Sequence, residues 1–232
     1  MREIVLDTET TGLDPYQGDR VVEIGCVELV NGIPSGQTFH CYINPERDMP
    51  QGAFDVHGLS TDFLKDKPVF ADVADDFLAF IGDAPLVIHN AAFDTGFLNA
   101  ELERASRLAI GRERVVDTLL LARRRHPGGP NRLDDLCQRY GIDNSRRTKH
   151  GALLDAEILA EVYVELTGAR QARLGLQPVG SVRAVSAVKV SRQRPTPLAP
   201  RLTEAERDAH RSFVATLGAQ PIWVEYLGAA AA

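Results

Sequence analysis

Residues 4–12 constrain the fold more than any other part of the chain. They begin with the apolar run Ile4-Val5-Leu6, which predicts a buried strand, and continue as Asp7-Thr8-Glu9-Thr10-Thr11-Gly12. Because strand side chains alternate between two faces, Asp7 and Glu9 point the same way. Two neighbouring carboxylates repel each other, so the pattern favours a site for divalent cations, which bind oxygen ligands. The alternative is an ordinary charged face of a solvated sheet.

Two further islands add acids and a histidine. Asn90-Ala91-Ala92-Phe93-Asp94 follows an apolar strand at 86–89, where ligands of open α/β sheets collect. His150 lies on a loop before the helix that contains Asp155, and an imidazole with a pKa near ~6.5 can take a proton from metal-bound water. Taken alone, Asp94 could cap a helix and His150 could be a surface residue. Four acids with one histidine favour a metal-dependent nuclease.

Composition indicates one cytoplasmic protein of ordinary globular type. The chain has 232 residues, of which 44% are apolar and 25% charged, enough for one well-buried domain. No apolar run approaches the ~20 residues that span a bilayer, and the first strand follows the N-terminus so closely that we expect no leader segment. The 3 cysteines are far apart, which favours reduced, mostly buried thiols.

The charge is unevenly distributed along the chain. The net charge of −6 argues against a broad basic face that would bind nucleic acid tightly. Residues 168–203 nevertheless contain seven basic residues and no acidic one. The sequence therefore has an acidic body and a basic connector, and an acidic body is expected where a carboxylate-lined site needs cations before it can approach a phosphate.

The remaining pattern predicts an α/β domain at 1–169, with a mixed five-stranded sheet flanked by helices. The turn signal Asn31-Gly32 joins two expected strands, so the first three strands form a meander. Expected strands are at 4–9, 21–30, 37–43, 86–89 and 115–116, and expected helices at 70–81, 92–104, 118–125, 133–140 and 152–166.

The C-terminal part has a different texture. Residues 177–201 contain three closely spaced prolines and no amphipathic period, which predicts a flexible basic linker. Residues 202–232 follow as a separate segment. A new helix is expected from Thr203, with Glu206 in the position of a capping box.

The three islands resemble the DnaQ-like 3′→5′ exonucleases, which have four acids and a histidine. Within that family, the runs at 5–12, 87–94 and 150–156 are most similar to the epsilon proofreading subunits of bacterial DNA polymerase III, and the similarity extends over residues 4–176. The resemblance implies a ribonuclease H-like fold and hydrolysis with two divalent metal ions, Mg²⁺ or Mn²⁺. It also implies removal of mispaired nucleotides from a DNA 3′ end.

The resemblance also implies roles for individual residues. Asp7, Glu9, Asp94 and Asp155 would be the catalytic metal ligands, and His150 the general base. The pocket for the terminal nucleotide would be lined by Thr10, Gly12, Val56, His57 and Phe93.

Two partners are implied for the C-terminal part. Residues 170–176 contain Gln171, Leu174 and Leu176, which are similar to the short motif that docks replication proteins on the sliding clamp (beta). The alternative is the frayed end of the preceding helix. Beyond this motif the layout resembles that of the family, in which the tail binds the polymerase catalytic (alpha) subunit, and the aromatic and leucine side chains of the tail would be its anchors: Phe213, Leu217, Trp223 and Tyr226. The alternative is a local cluster that folds back on the body.

Two other functions remain to be distinguished from proofreading. One is an exonuclease that trims RNA ends with the same five residues, although such an enzyme needs neither a clamp motif nor a tethered tail. The other is a subunit that stabilises a polymerase by contact alone, although a pure scaffold has no use for converging acids.

Overall fold

The structure, a computed structural model, describes residues 1–147, 149–168 and 201–217. The chain divides into two compact units, Met1–Leu174 and Gly175–Ala232. In the described part of the first unit, the strands form a single five-stranded sheet: β1 (Arg2–Thr10), β2 (Val21–Val30), β3 (Ile33–Tyr42), β4 (Leu86–Ile88) and β5 (Val115–Asp117). Their order is β3-β2-β1-β4-β5, so β1 is central. Strands β1 to β3 form an antiparallel meander, and β4 and β5 run parallel to β1, which confirms the predicted mixed sheet.

Strand β3 begins earlier than predicted. The sequence predicted a strand at 37–43, whereas the observed strand covers Ile33–Tyr42. Asn31 and Gly32 form the turn with φ values of 54° and 76°, as a two-residue hairpin turn requires. The strand lies at the edge of the sheet and is largely exposed, so its early proline and glycine are tolerated there. These residues therefore do not mark a longer loop.

Helices surround the sheet. The five helices predicted in residues 1–169 are observed within one residue of their expected bounds. Two further helices, at 51–57 and 61–64, were missed because they are too short to show an amphipathic period. None of the helices in the described ranges is long and apolar enough to cross a membrane. The helices of the first unit are α1 (Gln51–His57), α2 (Thr61–Leu64), α3 (Phe70–Ile81), α4 (Ala92–Arg104), α5 (Thr118–Arg125), α6 (Leu133–Tyr140) and α7 (Ala152–Thr167).

Strand β1 contributes to the hydrophobic core on both faces of the sheet. Ile4 and Leu6 belong to the cluster that contains residues of α3 and α4, whereas Val5 belongs to a second cluster with α7. Asp7 and Glu9 continue the Val5 side of the strand. Both carboxylates therefore emerge on the face of the sheet that α7 covers.

Helix α7 approaches the sheet very closely at Gly25 of β2, the residue paired with Asp7. A Cβ atom at Gly25 would lie 2.2 Å from the carbonyl carbon of Ala152 and from the backbone nitrogen of Leu153. Only glycine leaves room for the first turn of α7 at this point. This turn carries Asp155, so the contact sets how close Asp155 comes to β1.

The second unit contains one described helix, α8 (Glu204–Ala215). Its predicted capping box is confirmed, because the Thr203 hydroxyl accepts a hydrogen bond from the Glu206 N–H and the Glu206 carboxylate accepts one from the Thr203 N–H. Phe213 and Leu217 are 61% and 47% exposed. The predicted linker up to residue 200, the clamp motif, Trp223 and Tyr226 lie outside the described residues.

We expect Gly25→Ala to destabilise the protein by about 1–3 kcal/mol, the usual cost of overpacking, because the methyl group would push α7 off the sheet. Urea denaturation followed by circular dichroism measures the change. Gly96→Ala in α4 is the matched control, since a Cβ there meets no atom within 4 Å. Equal stability of the two variants would contradict the close contact.

Candidate active site

The four predicted acids and His150 line one cavity of about 1010 Å³ at the carboxyl ends of β1 and β4. Asp7 and Glu9 come from β1, Asp94 from the first turn of α4, and Asp155 from the first turn of α7. Because β1 and β4 are parallel, the segments that follow Glu9 and precede Asp94 meet at the same edge of the sheet. Glu9, Asp94 and Asp155 are only 8%, 3% and 3% exposed.

Burial and mutual repulsion disfavour ionisation of three of these acids. Burial, together with the charges of Asp94, Glu9 and Asp155, raises the pKa of Asp7 well above its usual range. Burial first, and then the charge of Asp155, raises the pKa of Glu9 to about 8. Burial raises the pKa of Asp94 to about 7. A nearby cation would lower these pKa values and favour the ionised carboxylates, which is what metal binding requires.

Thr8 fixes the position of Asp94. Its backbone N–H and its hydroxyl both donate to Oδ1 of Asp94, at 3.1 and 2.7 Å. Thr8 lies between Asp7 and Glu9 and therefore points to the other side of β1, towards α4. The sequence analysis did not assign it a role, although its place between the two acids was a usable signal.

His150 lies on the loop before α7. Its backbone N–H donates to the carbonyl oxygen of Val56 at 3.2 Å, and its side chain is 47% exposed. Its Nδ1 lies 3.2 Å from Oδ2 of Asp155. One potential ligand atom each from Glu9, His150 and Asp155 lies within 4.8 Å of the others. The buried carboxylate oxygens of Glu9 and Asp155 fit a hard divalent cation.

Arg147 also belongs to the site and was missed by the sequence analysis. Its side chain is 9% exposed, and it donates to both carboxylate oxygens of Asp155. Burial alone would raise the pKa of Asp155, but hydrogen bonds from His150 and Arg147 outweigh it and leave that pKa below its usual value. The sequence offers two adjacent arginines, Arg146 and Arg147, with no local feature that separates them.

Four of the five residues implied to bind the terminal nucleotide, Thr10, Gly12, Val56 and His57, are not among the residues that line the cavity. Phe93 lines it directly. Thr10 donates through its hydroxyl to the Gly12 carbonyl at 2.7 Å, which closes the turn after β1. Val56 holds the His150 loop through its carbonyl oxygen, and His57 is buried at the end of α1.

Known proteins resemble this chain in both family and fold. The family model described as Exonuclease (RNase T) matches residues 4–163. The solved structure of Exonuclease X in complex with 5′ overhanging duplex DNA superposes with a TM-score of 0.58 at 25% sequence identity, covering 71% of this chain and 90% of that one. The fold and site thus define a nuclease of the ribonuclease H-like class.

Curated relatives indicate a particular group within this class of nucleases. DNA polymerase III subunit epsilon of Rickettsia felis is 59% identical over 174 residues, covering 74% of this chain and 76% of the relative. The Rickettsia typhi protein of the same name is 48% identical over 223 residues, covering 92% and 96%. The chain belongs to the exonuclease family and, within it, to the DNA polymerase III epsilon subunits. The predicted family, fold and exonuclease function are confirmed, and the family depends on divalent metal.

We expect the metal-free protein to lose stability as pH rises from about 5 to about 8. The pKa of Glu9 is about 8 in the folded protein against an ordinary 4.5, so in this window the folded state holds a proton that the unfolded state has released. The free energy of unfolding should fall by up to about 1.4 kcal/mol per pH unit for each such proton. Urea denaturation in EDTA at several pH values measures the slope.

Two substitutions test whether Glu9 causes this pH dependence of stability. Glu9→Gln should flatten it, whereas Glu103→Gln, at an exposed position on α4, should leave it unchanged. A slope that is the same in wild type and Glu9→Gln would contradict the effect of burial on Glu9.

Proposed function

We propose that the protein removes mispaired 3′-terminal nucleotides from newly made DNA, as the proofreading epsilon subunit of the DNA polymerase III holoenzyme. The observation that carries this proposal is the convergence of four acids and a histidine in one cavity. Similarity over 92% of the chain to a subunit of that name supports it. Such an enzyme works in the cytoplasm, where the replication machinery assembles on the nucleoid.

The proposed chemistry is hydrolysis of the terminal phosphodiester. Two Mg²⁺ or Mn²⁺ ions held by Asp7, Glu9, Asp94 and Asp155 would supply an activated water and neutralise charge on the leaving 3′ oxygen. His150 takes the proton of the attacking water, since its ring is half-exposed and has the Asp155 carboxylate beside it. The two hydrogen bonds from Thr8 to Asp94 fix this carboxylate before substrate arrives.

The terminal nucleotide is proposed to lie against Thr10, Gly12, Val56, His57 and Phe93. Three observations support this placement: Phe93 lines the cavity, Thr10 and Gly12 lie one and three residues after Glu9, and the Val56 carbonyl accepts a hydrogen bond from the His150 N–H. Selectivity for mismatches then needs no reading of the base. A mispaired end costs less to unstack, so it enters the cavity more often.

Two protein partners are proposed for the C-terminal part. Gln171, Leu174 and Leu176 would dock on the sliding clamp as a short extended motif. Phe213, Leu217, Trp223 and Tyr226 would bind the polymerase catalytic subunit. The exposure of Phe213 on α8 and of Leu217 just after this helix supports the second contact, because exposed aromatic and leucine side chains are suited to the core of an interface.

A labelled-primer experiment tests the proposal. We expect wild type to shorten a 5′-labelled DNA primer from its 3′ end with Mg²⁺ and not with EDTA, and faster when the 3′ end is mispaired. Asp7→Ala should abolish this degradation, whereas Asp66→Ala, at an exposed position, should not affect it. Preferential loss of an RNA oligomer would indicate RNA trimming instead. Absence of any cleavage would indicate a non-catalytic subunit.

His150 and the acids should respond differently to substitution. We expect His150→Ala to lower turnover by about 10²–10⁴, the usual contribution of a general base, with a smaller effect on metal affinity. Asp155→Ala should weaken both turnover and metal binding, because its carboxylate is proposed as a ligand. Single-turnover kinetics and Mn²⁺ titration of the same samples separate the two effects. Unchanged turnover in His150→Ala would exclude it as the base.

A further inference from the structure

Arg147 forms a bidentate salt bridge with Asp155. Its Nε donates to Oδ1 of Asp155 at 2.6 Å and its Nη2 donates to Oδ2 at 2.7 Å. The arginine side chain is 9% exposed and that of Asp155 is 3% exposed, so this ion pair is well screened from solvent. Planar paired contacts of this kind are among the stronger charge-assisted hydrogen bonds.

A second carboxylate anchors Arg147 from outside the proposed ligand set. Nη1 donates to both oxygens of Asp134, at 2.9 Å each, and the Asp134 side chain is 58% exposed. Asp134 lies in the first turn of α6 and accepts a further hydrogen bond from the amide of Asn144. Arg147 would therefore keep a partner on the rim of the cavity if it lost Asp155.

Arg147 influences the other members of the site as well. Its charge lowers the pKa of Asp7 and of Glu9 and partly offsets the effect of their burial. Its Nη2 also lies 2.7 Å from Nδ1 of His150. One guanidinium thus supplies positive charge to the carboxylate cluster and contacts the proposed base.

We propose that Arg147 is a positioning residue that takes the place of a divalent cation in the metal-free site and competes with the metal for Asp155. Both oxygens of Asp155 are engaged by Arg147, so a metal ion that uses Asp155 as a ligand must share these oxygens with the guanidinium and is repelled by its positive charge. Asp134 retains the guanidinium on the rim. Arg147 therefore holds Asp155 in place without metal and limits how tightly metal binds. This inference rests on the proposed metal-binding function of the acids.

Titration with Mn²⁺, with free ion followed by its paramagnetic resonance signal, tests the inference on the full-length protein. We expect Arg147→Gln to bind Mn²⁺ at least about tenfold more tightly than wild type, since a competing charge-assisted pair is removed. The Mn²⁺ affinity of Arg147→Lys should lie between those of wild type and Arg147→Gln, because lysine keeps the positive charge but cannot form the bidentate contact. Arg146→Gln is the matched control: it removes the same charge from a side chain that is 70% exposed.

Thermal unfolding provides the second measurement. Arg147→Gln should melt below wild type in EDTA and approach it with saturating Mn²⁺, which also shows that the variant is folded. Mn²⁺ affinity of Arg147→Gln equal to that of Arg146→Gln, or weaker, would overturn the inference alone. Failure of wild type to bind Mn²⁺ would overturn the proposed metal site and the inference with it.

Discussion

The burial of several carboxylates beside one another is the main electrostatic constraint on this structure. Glu9 and Asp94 are buried and Asp7 is half-buried beside them, and burial raises the pKa values of all three. Such a cluster is stable only when protons, an internal cation or bound metal neutralise it. Arg147 supplies an internal cation to Asp155, whereas burial raises the pKa values of Asp7, Glu9 and Asp94. Perturbed acids of this kind are typical of functional sites.

The scaffold brings the acids together by simple geometry. Alternation along β1 places Val5 in the core under α7 and carries Asp7 and Glu9 out on the same face. Asp155 comes from the first turn of α7, and Gly25 is the residue that lets this turn approach the sheet. Asp94 enters from the opposite side on α4. The hydrophobic packing of the two faces therefore sets the distances between charged groups that no hydrophobic contact would otherwise bring together.

Much of this arrangement could be predicted from the sequence, because it depends on local pattern. The period of two in β1 and the order of strands and helices place the acids at one edge, and the three short islands are specific to a family. Thr8 and Arg147 were missed because their roles depend on which neighbour a side chain reaches in three dimensions. Arg146 and Arg147 are adjacent and chemically identical, and only the folded chain shows that Arg147 points into the cavity.

Sequence pattern also fails to predict some helices and strand ends. Helices α1 and α2 are too short for a visible period, and the start of β3 contains residues that commonly mark turns. For α8, local sequence does predict where the helix begins, because Thr203 and Glu206 form a capping box. The contacts of the exposed Phe213 cannot be predicted in this way, because they depend on a surface outside the helix.

We propose that one acidic cavity holds two metal ions against a DNA 3′ end. Electron paramagnetic resonance of Mn²⁺ bound to the wild-type protein, in complex with a primer whose last linkage is a cleavage-resistant phosphorothioate, tests it most directly. We expect two Mn²⁺ ions per chain, with the spin coupling of ions ~3.5–4 Å apart. A spectrum of isolated, uncoupled Mn²⁺ at full occupancy would contradict it.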